Sequence, residues 1–170
     1  MVLLFANRKS KTEKEITEIL KGFGGNYISD KSVHTINGLF TIISEYKPAE
    51  LRLNRGIAVF CDETERFKKQ ILPKGFIGIC EEHNNFALEV FKQNKVPVII
   101  CGMNSINTVT LSSINKDFFV ISLQRTITDN KGNEIMPCEY KIKLNKQYSP
   151  LSVMFSTAIL LLNGFYPKEF

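Results

Sequence analysis

The 170-residue sequence predicts a three-layer α/β fold, with a mostly parallel sheet of five strands extended by an antiparallel meander and helices on both faces. Three observations predict it. The first hundred residues carry five short runs that are apolar without alternation, as strands covered on both faces require. Two of the intervals between these runs read as helices, one amphipathic and one capped. After Gly102 the texture changes to polar and apolar residues in alternation, the pattern of strands with one wet face.

Val2 to Ala6 reads as a buried strand and Asn7 to Thr12 as a polar turn. From Lys11 to Lys21, Ile16, Ile19 and Leu20 share one face with charges opposite, which makes an amphipathic helix. Gly22, Gly24 and Gly25 stop it, and residues 26–37 are polar and indistinct. Leu39 to Ile43 is a second strand, closed by Pro48, and Gly56 to Cys61 is a third. Residues 62–75 form a charged connection with a helical turn around Phe67, ended by Pro73 and Gly75. Phe76 to Cys80 is the fourth strand. Asn84 caps a helix through Lys92 that turns Ala87, Leu88 and Phe91 inward. Val96 to Cys101 is the fifth strand, with Pro97 at its start, where a missing N–H is tolerated.

In the second half, Thr108 to Ser112 opens the meander. Phe118 to Ile127 follows, with Asp129 to Gly132 as the turn, and Glu139 to Leu144 completes it. Pro150 suits the first turn of a last helix through Leu162, which Gly164 stops. There is no internal repeat and no low-complexity tract. The expectation is a single domain over 1–170, with 1–102 as the parallel part and 103–170 as the meander plus the C-terminal helix.

Composition narrows the function classes. With 44% hydrophobic and 23% charged residues, the chain is neither disordered, collagen-like nor a coiled coil. Its net charge is +5, yet the densest basic cluster, Arg8, Lys9, Lys11 and Lys14, is interrupted by Glu13 and Glu15 and has no interleaved aromatics. A nucleic acid is therefore not the expected partner. The four cysteines, Cys61, Cys80, Cys101 and Cys138, contain no CxxC, and three of them close apolar runs. They read as core thiols of a reduced compartment. The alternative gathers Cys61, Cys80, Cys101 and His83 around a metal, but at the spacing of no common zinc motif, and neither metal nor cofactor is expected. The longest apolar stretch, Leu151 to Leu162, is short of the ~20 residues of a bilayer span, and the first residues lack the pattern of a signal peptide. No membrane association is expected, and the location expected is cytoplasmic.

A resemblance enters at Val98-Ile99-Ile100-Cys101-Gly102. A strand ending in Gly leads to antiparallel strands and then to the small-residue-bearing helix Ser149 to Leu162. Over about residues 76–162 this resembles the closing half of the central, ATP-binding domain of the Mur ligases, the cell-wall peptide ligases, and it implies a Rossmann-like sheet. The whole chain is also similar to small uncharacterised bacterial proteins with a "CGMN…TVTLSS…SLQR" stretch, here Cys101 to Asn104, Thr108 to Ser113 and Ser122 to Arg125. That similarity implies no activity. The ligase resemblance implies a phosphate loop of the G-x-x-G-K-[ST] type. The corresponding turn is Ala6 to Thr12, with Lys11-Thr12 in the Lys-Thr place and both glycines missing, so side chains obstruct close approach of a phosphate. The family's acidic magnesium ligand and its flanking domains find no place on the chain, and ligase activity is not expected.

Ligands of parallel sheets bind beyond the C-terminal strand ends. The candidates there are Asn7, Arg8, Lys9, Lys11 and Thr12, then Asp62, then Glu82, His83 and Asn84, and finally Asn104 and Ser105. A basic loop facing an acidic and amide rim suits a small phosphorylated or nucleotide-like ligand; a solvated loop edge is the plain alternative. His83, oriented by Glu81 or Glu82, is the one candidate general base for a hydrolase or transferase. No hydroxyl or thiol has a nucleophile setting such as G-x-S-x-G, so no catalytic residue is assigned. The hydroxyl-rich strand Thr108, Thr110, Ser112 and Ser113 either docks a partner or is solvated. Arg125 interrupts an apolar run, and if buried it would take Glu139 as partner. The expected function is a non-catalytic module in binding, regulation or assembly. It would be a homo-oligomer or would meet a protein partner through the C-terminal helix or an exposed meander edge. The alternative is a binder of a small phosphorylated ligand.

Overall fold

The computed structural model describes residues 1–35, 37–45, 53–63 and 70–170. In chain order the elements are β1 (Val2–Phe5), α1 (Lys11–Gly22), β2 (Gly25–Ser29), β3 (Val33–His34), β4 (Phe40–Glu45), β5 (Gly56–Phe60), β6 (Phe76–Glu81), α2 (Asn85–Asn94), β7 (Val98–Gly102), β8 (Val109–Ile114), β9 (Phe118–Leu123), β10 (Ile127–Thr128), β11 (Glu134–Ile135), β12 (Cys138–Lys143) and α3 (Pro150–Leu162). Ten strands form one sheet in the order β12-β9-β8-β7-β6-β5-β1-β4-β2-β3, and β10 and β11 form a separate ribbon. From β8 to β2 every neighbour pair is parallel, so the parallel part has seven strands rather than the five expected. The unbroken apolar runs of β1 and β5 sit at its centre and are buried at every residue.

Four expectations need correcting. The stretch after Gly25, polar and indistinct in sequence, contains β2 and the two-residue β3. Gly25 is buried against Ile42 and Phe40, so this glycine opens a strand instead of only ending a helix. The meander's first strand, β8, is antiparallel to β9 but parallel to β7. A parallel crossover ordinarily needs a dozen or more residues. Here residues 103–108 suffice, because β8 starts beside the last two residues of β7, with Cys101 opposite Val109 and Gly102 opposite Thr110, and runs on past them. The run from Phe118 to Ile127 breaks at Gln124, and the Asp129–Gly132 turn joins β10 to β11 within the small ribbon. Arg125 is exposed and donates to the Ile106 carbonyl at 2.8 Å, while Glu139 stands opposite Ser122. The expectations at Pro48 and Phe67 lie outside the described residues.

Helices cover both faces. On one, α2 turns Ala87, Val90 and Phe91 onto Phe60, Phe76 and Cys80. Phe60 stacks on Phe5 and meets Phe91 edge-on. On the other, α1 and α3 share a larger core with Ile57, Val59, Ile79, Ile99 and Val109. Ser149 caps α3 by accepting the Ser152 N–H, and Pro150 stands in its first turn, as expected. From Ser152 to Leu162 every residue of α3 is buried within this chain, so the helix keeps no free face for assembly. No helix among the described residues is long and apolar enough to cross a membrane.

Leu160 of α3 is fully buried in the larger core. Leu160→Ala is expected to lower stability by about 2–5 kcal/mol in chemical denaturation.

Candidate functional site

The turn from β1 into α1 is four residues, Asn7 to Ser10, closed by a 3.1 Å bond from the Ser10 N–H to the Asn7 carbonyl. Lys9 lies in the left-handed region at φ 70°, a conformation that costs a side-chain-bearing residue energy and that the short turn imposes. Ser10 caps α1 by accepting the Glu13 N–H at 3.2 Å. Asp62, just past β5, closes the arrangement. Its Oδ2 accepts the Asn7 N–H at 2.7 Å and its Oδ1 accepts the Ser10 hydroxyl at 3.1 Å. The Asp62 carbonyl accepts from Asn84 Nδ2 at 3.2 Å, while Asn84 Oδ1 takes the Ala87 N–H at 2.9 Å and so caps α2.

This knot stands where the sheet's winding reverses. From β1 the chain goes by way of α1 to β2 on one side, and from β5 it goes to β6 and β7 on the other. Such a switch point is where an open α/β sheet offers its crevice to a ligand. Here a carboxylate of the chain itself takes the donors that a bound anion would need. A triphosphate does not fit this turn: it is short, it lacks glycine, and Asp62 already sits at the helix start as a negative charge.

Beside the knot, beyond the ends of β1, β4 and β2, lies a hollow of about 610 Å³. Arg8 and Lys9 line it, together with Lys14, Lys31, Tyr27 and Ser44. Among the described residues Glu13 and Asp30 also line it, setting two carboxylates among the basic groups. Glu13 is engaged, accepting from the Tyr27 hydroxyl and the Thr17 hydroxyl at 3.3 Å each. Burial raises the Tyr27 phenol above its ordinary range, so it stays a neutral donor at physiological pH. Lys11 does not face the hollow; it pairs with Glu15 along the helix at 3.5 Å, and Thr12 does not line it either.

A third cluster lies at the tips of β6 and β7. Glu82 Oε1 accepts the Met103 N–H at 3.0 Å and Oε2 accepts Asn107 Nδ2 at 2.6 Å. Asn104 folds the loop on itself, taking the Ile106 N–H on its side chain and the Asn107 N–H on its carbonyl. A Cβ at Gly102 would meet the Glu82 carboxyl and the Asn107 amide, so any larger residue there would displace this pair. The Asn107 amide above all, then the Met103 N–H and the neighbouring His83, hold the Glu82 carboxyl below the usual carboxylate range against the opposing effect of burial. His83 stands 3.8 Å from Glu82 Oε1 with its side chain 83% exposed, and Ser105 is exposed in the loop. The expected rim is thus three separate groups: the Asp62 knot, the basic hollow and the Glu82 loop.

Cys61, Cys80 and Cys101 are buried, and burial pushes their thiols up, that of Cys80 to about 12. They are inert as nucleophiles. Among the described residues no three potential ligating side chains gather as a metal site would need, and Cys138 is exposed. Sequence reasoning did not include Lys31, Tyr27 or Asn107 in the rim. The first two follow only from seeing β2. Asn107 had a usable signal, since it sits five residues past a strand-ending glycine at the same sheet edge.

Because Glu82 is held ionised, its tie to the 103–107 loop is complete above the ordinary glutamate range and is lost as pH falls through its lowered pKa. The Met103 amide resonance in ¹H–¹⁵N spectra is expected to titrate with a midpoint below that of an exposed glutamate. In Glu82→Gln this transition should disappear.

No family model matches the sequence, and no curated protein does. Solved structures do match. One is the UDP-N-acetylmuramate:L-alanyl-γ-D-glutamyl-meso-diaminopimelate ligase (MPL) from Neisseria meningitides, at TM-score 0.60 and 10% identity, over 98% of this chain and 62% of that one. Another is a murein peptide ligase from Psychrobacter arcticus, at TM-score 0.58 and 12% identity, over 97% of this chain and 44% of that one. The likeness therefore reaches across almost the whole chain, where the sequence resemblance covered only residues 76–162. At these identities it is a likeness of fold: the chain carries a Mur-ligase-like, Rossmann-type α/β fold and spans less than two-thirds of the length of these ligases.

Proposed function

We propose that this chain is a non-catalytic binding module on a Mur-ligase-like scaffold, working in the cytoplasm, and that its ligand is a small phosphorylated molecule held in the hollow beside β1. The Asp62 carboxylate is the observation that carries the first part. It satisfies the Asn7 N–H and the Ser10 hydroxyl at the start of α1, where nucleotide-binding folds present free donors to phosphate. The hollow supports the second part. Its volume of about 610 Å³ is within the range of small-molecule sites, and among the described residues Lys9, Lys14 and Lys31 give it cationic groups suited to a phosphate. Tyr27 and Ser44 add hydroxyl groups for orientation. Regulation or assembly would follow from occupancy of this hollow.

Thermal unfolding with a panel of ligands tests both parts. ATP with magnesium is expected to leave the melting temperature unchanged, whereas at least one sugar phosphate or nucleoside monophosphate should raise it. Ligand at 100 times its Kd contributes ~2.7 kcal/mol, a plainly visible shift. Lys9→Ala with Lys14→Ala should abolish the shift and Lys11→Ala should not. Stabilisation by ATP with magnesium that Lys11→Ala removes would overturn the reading.

Asp62→Ala tests the knot separately. It strands the Asn7 N–H and frees the Ser10 hydroxyl, and a loss of about 1–3 kcal/mol is expected in urea unfolding. Added inorganic phosphate should recover part of that loss in the variant and none in the parent protein.

A further inference from the structure

The sheet has a gap beside β7. Its neighbour β8 pairs with Cys101 and Gly102 only, so the stretch Val98 to Ile100 has no strand on that side. The width of the gap can be read from the hydrogen bonds at its closed end. There the Thr108 N–H donates to the Ile100 carbonyl at 3.0 Å, and the Gln124 N–H donates to the Thr108 carbonyl at 2.9 Å. Three chains thus lie side by side at Thr108. One residue earlier the middle chain is gone, because Asn107 has turned away to Glu82. What remains is a slot one strand wide, about 380 Å³, between Pro97–Ile99 and Arg125–Thr128, with the partly exposed Ile77 at its floor and the buried Ile127 and Leu162 beneath.

The backbone bordering the slot is set up for pairing. The Pro97 and Cys101 carbonyls accept from Gly78 and Glu82 on the β6 side. Strand alternation then turns the N–H and C=O of Val98, and the N–H of Ile100, into the slot. Charge fixes which chain end can enter. Arg125 is the one charged residue lining the slot among the described residues, and it is exposed, with a single bond to the Ile106 carbonyl drawn from its five N–H donors. A strand advancing in the direction of β7 brings its C-terminal carboxylate against Thr108, beside that guanidinium. A strand entering the other way would bring an ammonium group to a cation.

We propose that this slot binds the C-terminal segment of a partner polypeptide, which adds to β7 as a parallel strand of about three residues, places an apolar side chain against Ile77 and pairs its terminal carboxylate with Arg125. The inference stands apart from the phosphorylated-ligand reading, because no residue is shared between the slot and the hollow.

The test is an array of hexapeptides with free carboxylates and randomised last four positions, each beside its C-terminal amide, probed with the full chain. Selected peptides are then titrated by fluorescence polarisation. Apolar and β-branched residues at alternating positions are expected, and amidation and Arg125→Ala should each weaken binding by about tenfold or more. Arg125→Lys should restore part of the affinity. Thr126→Trp, at an exposed position on the slot wall, should block binding while leaving the circular dichroism of the fold unchanged. If no peptide is selected above background, or if Thr126→Trp has no effect, the slot assignment fails. Binding that Thr126→Trp blocks but amidation and Arg125→Ala leave intact overturns the carboxylate assignment.

Discussion

One aspartate organises the functional edge of this molecule. Through its carboxylate Asp62 holds the β1–α1 turn, and through its backbone carbonyl it holds the residue that caps α2. Three crossover tips are thereby fixed against one another by a side chain whose charge has the same sign as that of any phosphate and would repel it. Nothing comparable is needed in a phosphate loop, where the ligand itself satisfies the helix start. The same interaction that stabilises the sheet's central junction therefore fills the start of α1 with the chain's own carboxylate. The open space at this edge lies to the side, where β2 and β4 leave a hollow beside Lys9.

The other organising constraint is α3. A helix buried on every side must be wrapped, and here the parallel strands supply one wall, the antiparallel strands another and α1 a third. Glu15 of α1 accepts from both the N–H and the hydroxyl of Ser149, and Lys146 pairs with Glu18, so the entry to α3 is tied to α1 by polar groups as well as by packing. Accepting from Ser149 outweighs the cost of partial burial and holds the Glu15 carboxyl below its ordinary range. This wrapping explains why β8 continues past the end of β7 instead of returning through a long crossover. The antiparallel strands have to reach over α3, and the slot beside Val98 is what that departure leaves behind.

Much of the fold was legible because burial leaves a direct mark on sequence. Unbroken apolar runs marked β1, β5, β6 and β7, and the Asn84 cap and first-turn Pro150 marked both later helices. What stayed hidden was structure made by neighbours. In β2, Gly25-Asn26-Tyr27-Ile28-Ser29 carries no run and is a strand because β4 lies beside it in register. The parallel pairing of β8 was equally invisible, since alternation reports one wet face and says nothing of strand direction. The candidate site was legible as an edge but not as a set. Position after a strand located Asn7, Asp62, Glu82 and Asn104, but only the three-dimensional arrangement shows that Asp62 and Glu82 are spent on the backbone and that Lys11 faces its own helix.

The late position of α3 in the chain has a consequence for biogenesis. Ile57, Ile79 and Ile99 belong to the face that this helix covers, and all three precede it by some fifty residues or more. A ribosome delivering the chain from its first residue exposes half of a seven-stranded parallel sheet before the covering segment has been made. Parallel pairing is slow and an uncovered apolar face adhesive, so a chain made as far as β7 and not yet α3 carries a surface prone to association that the finished fold hides.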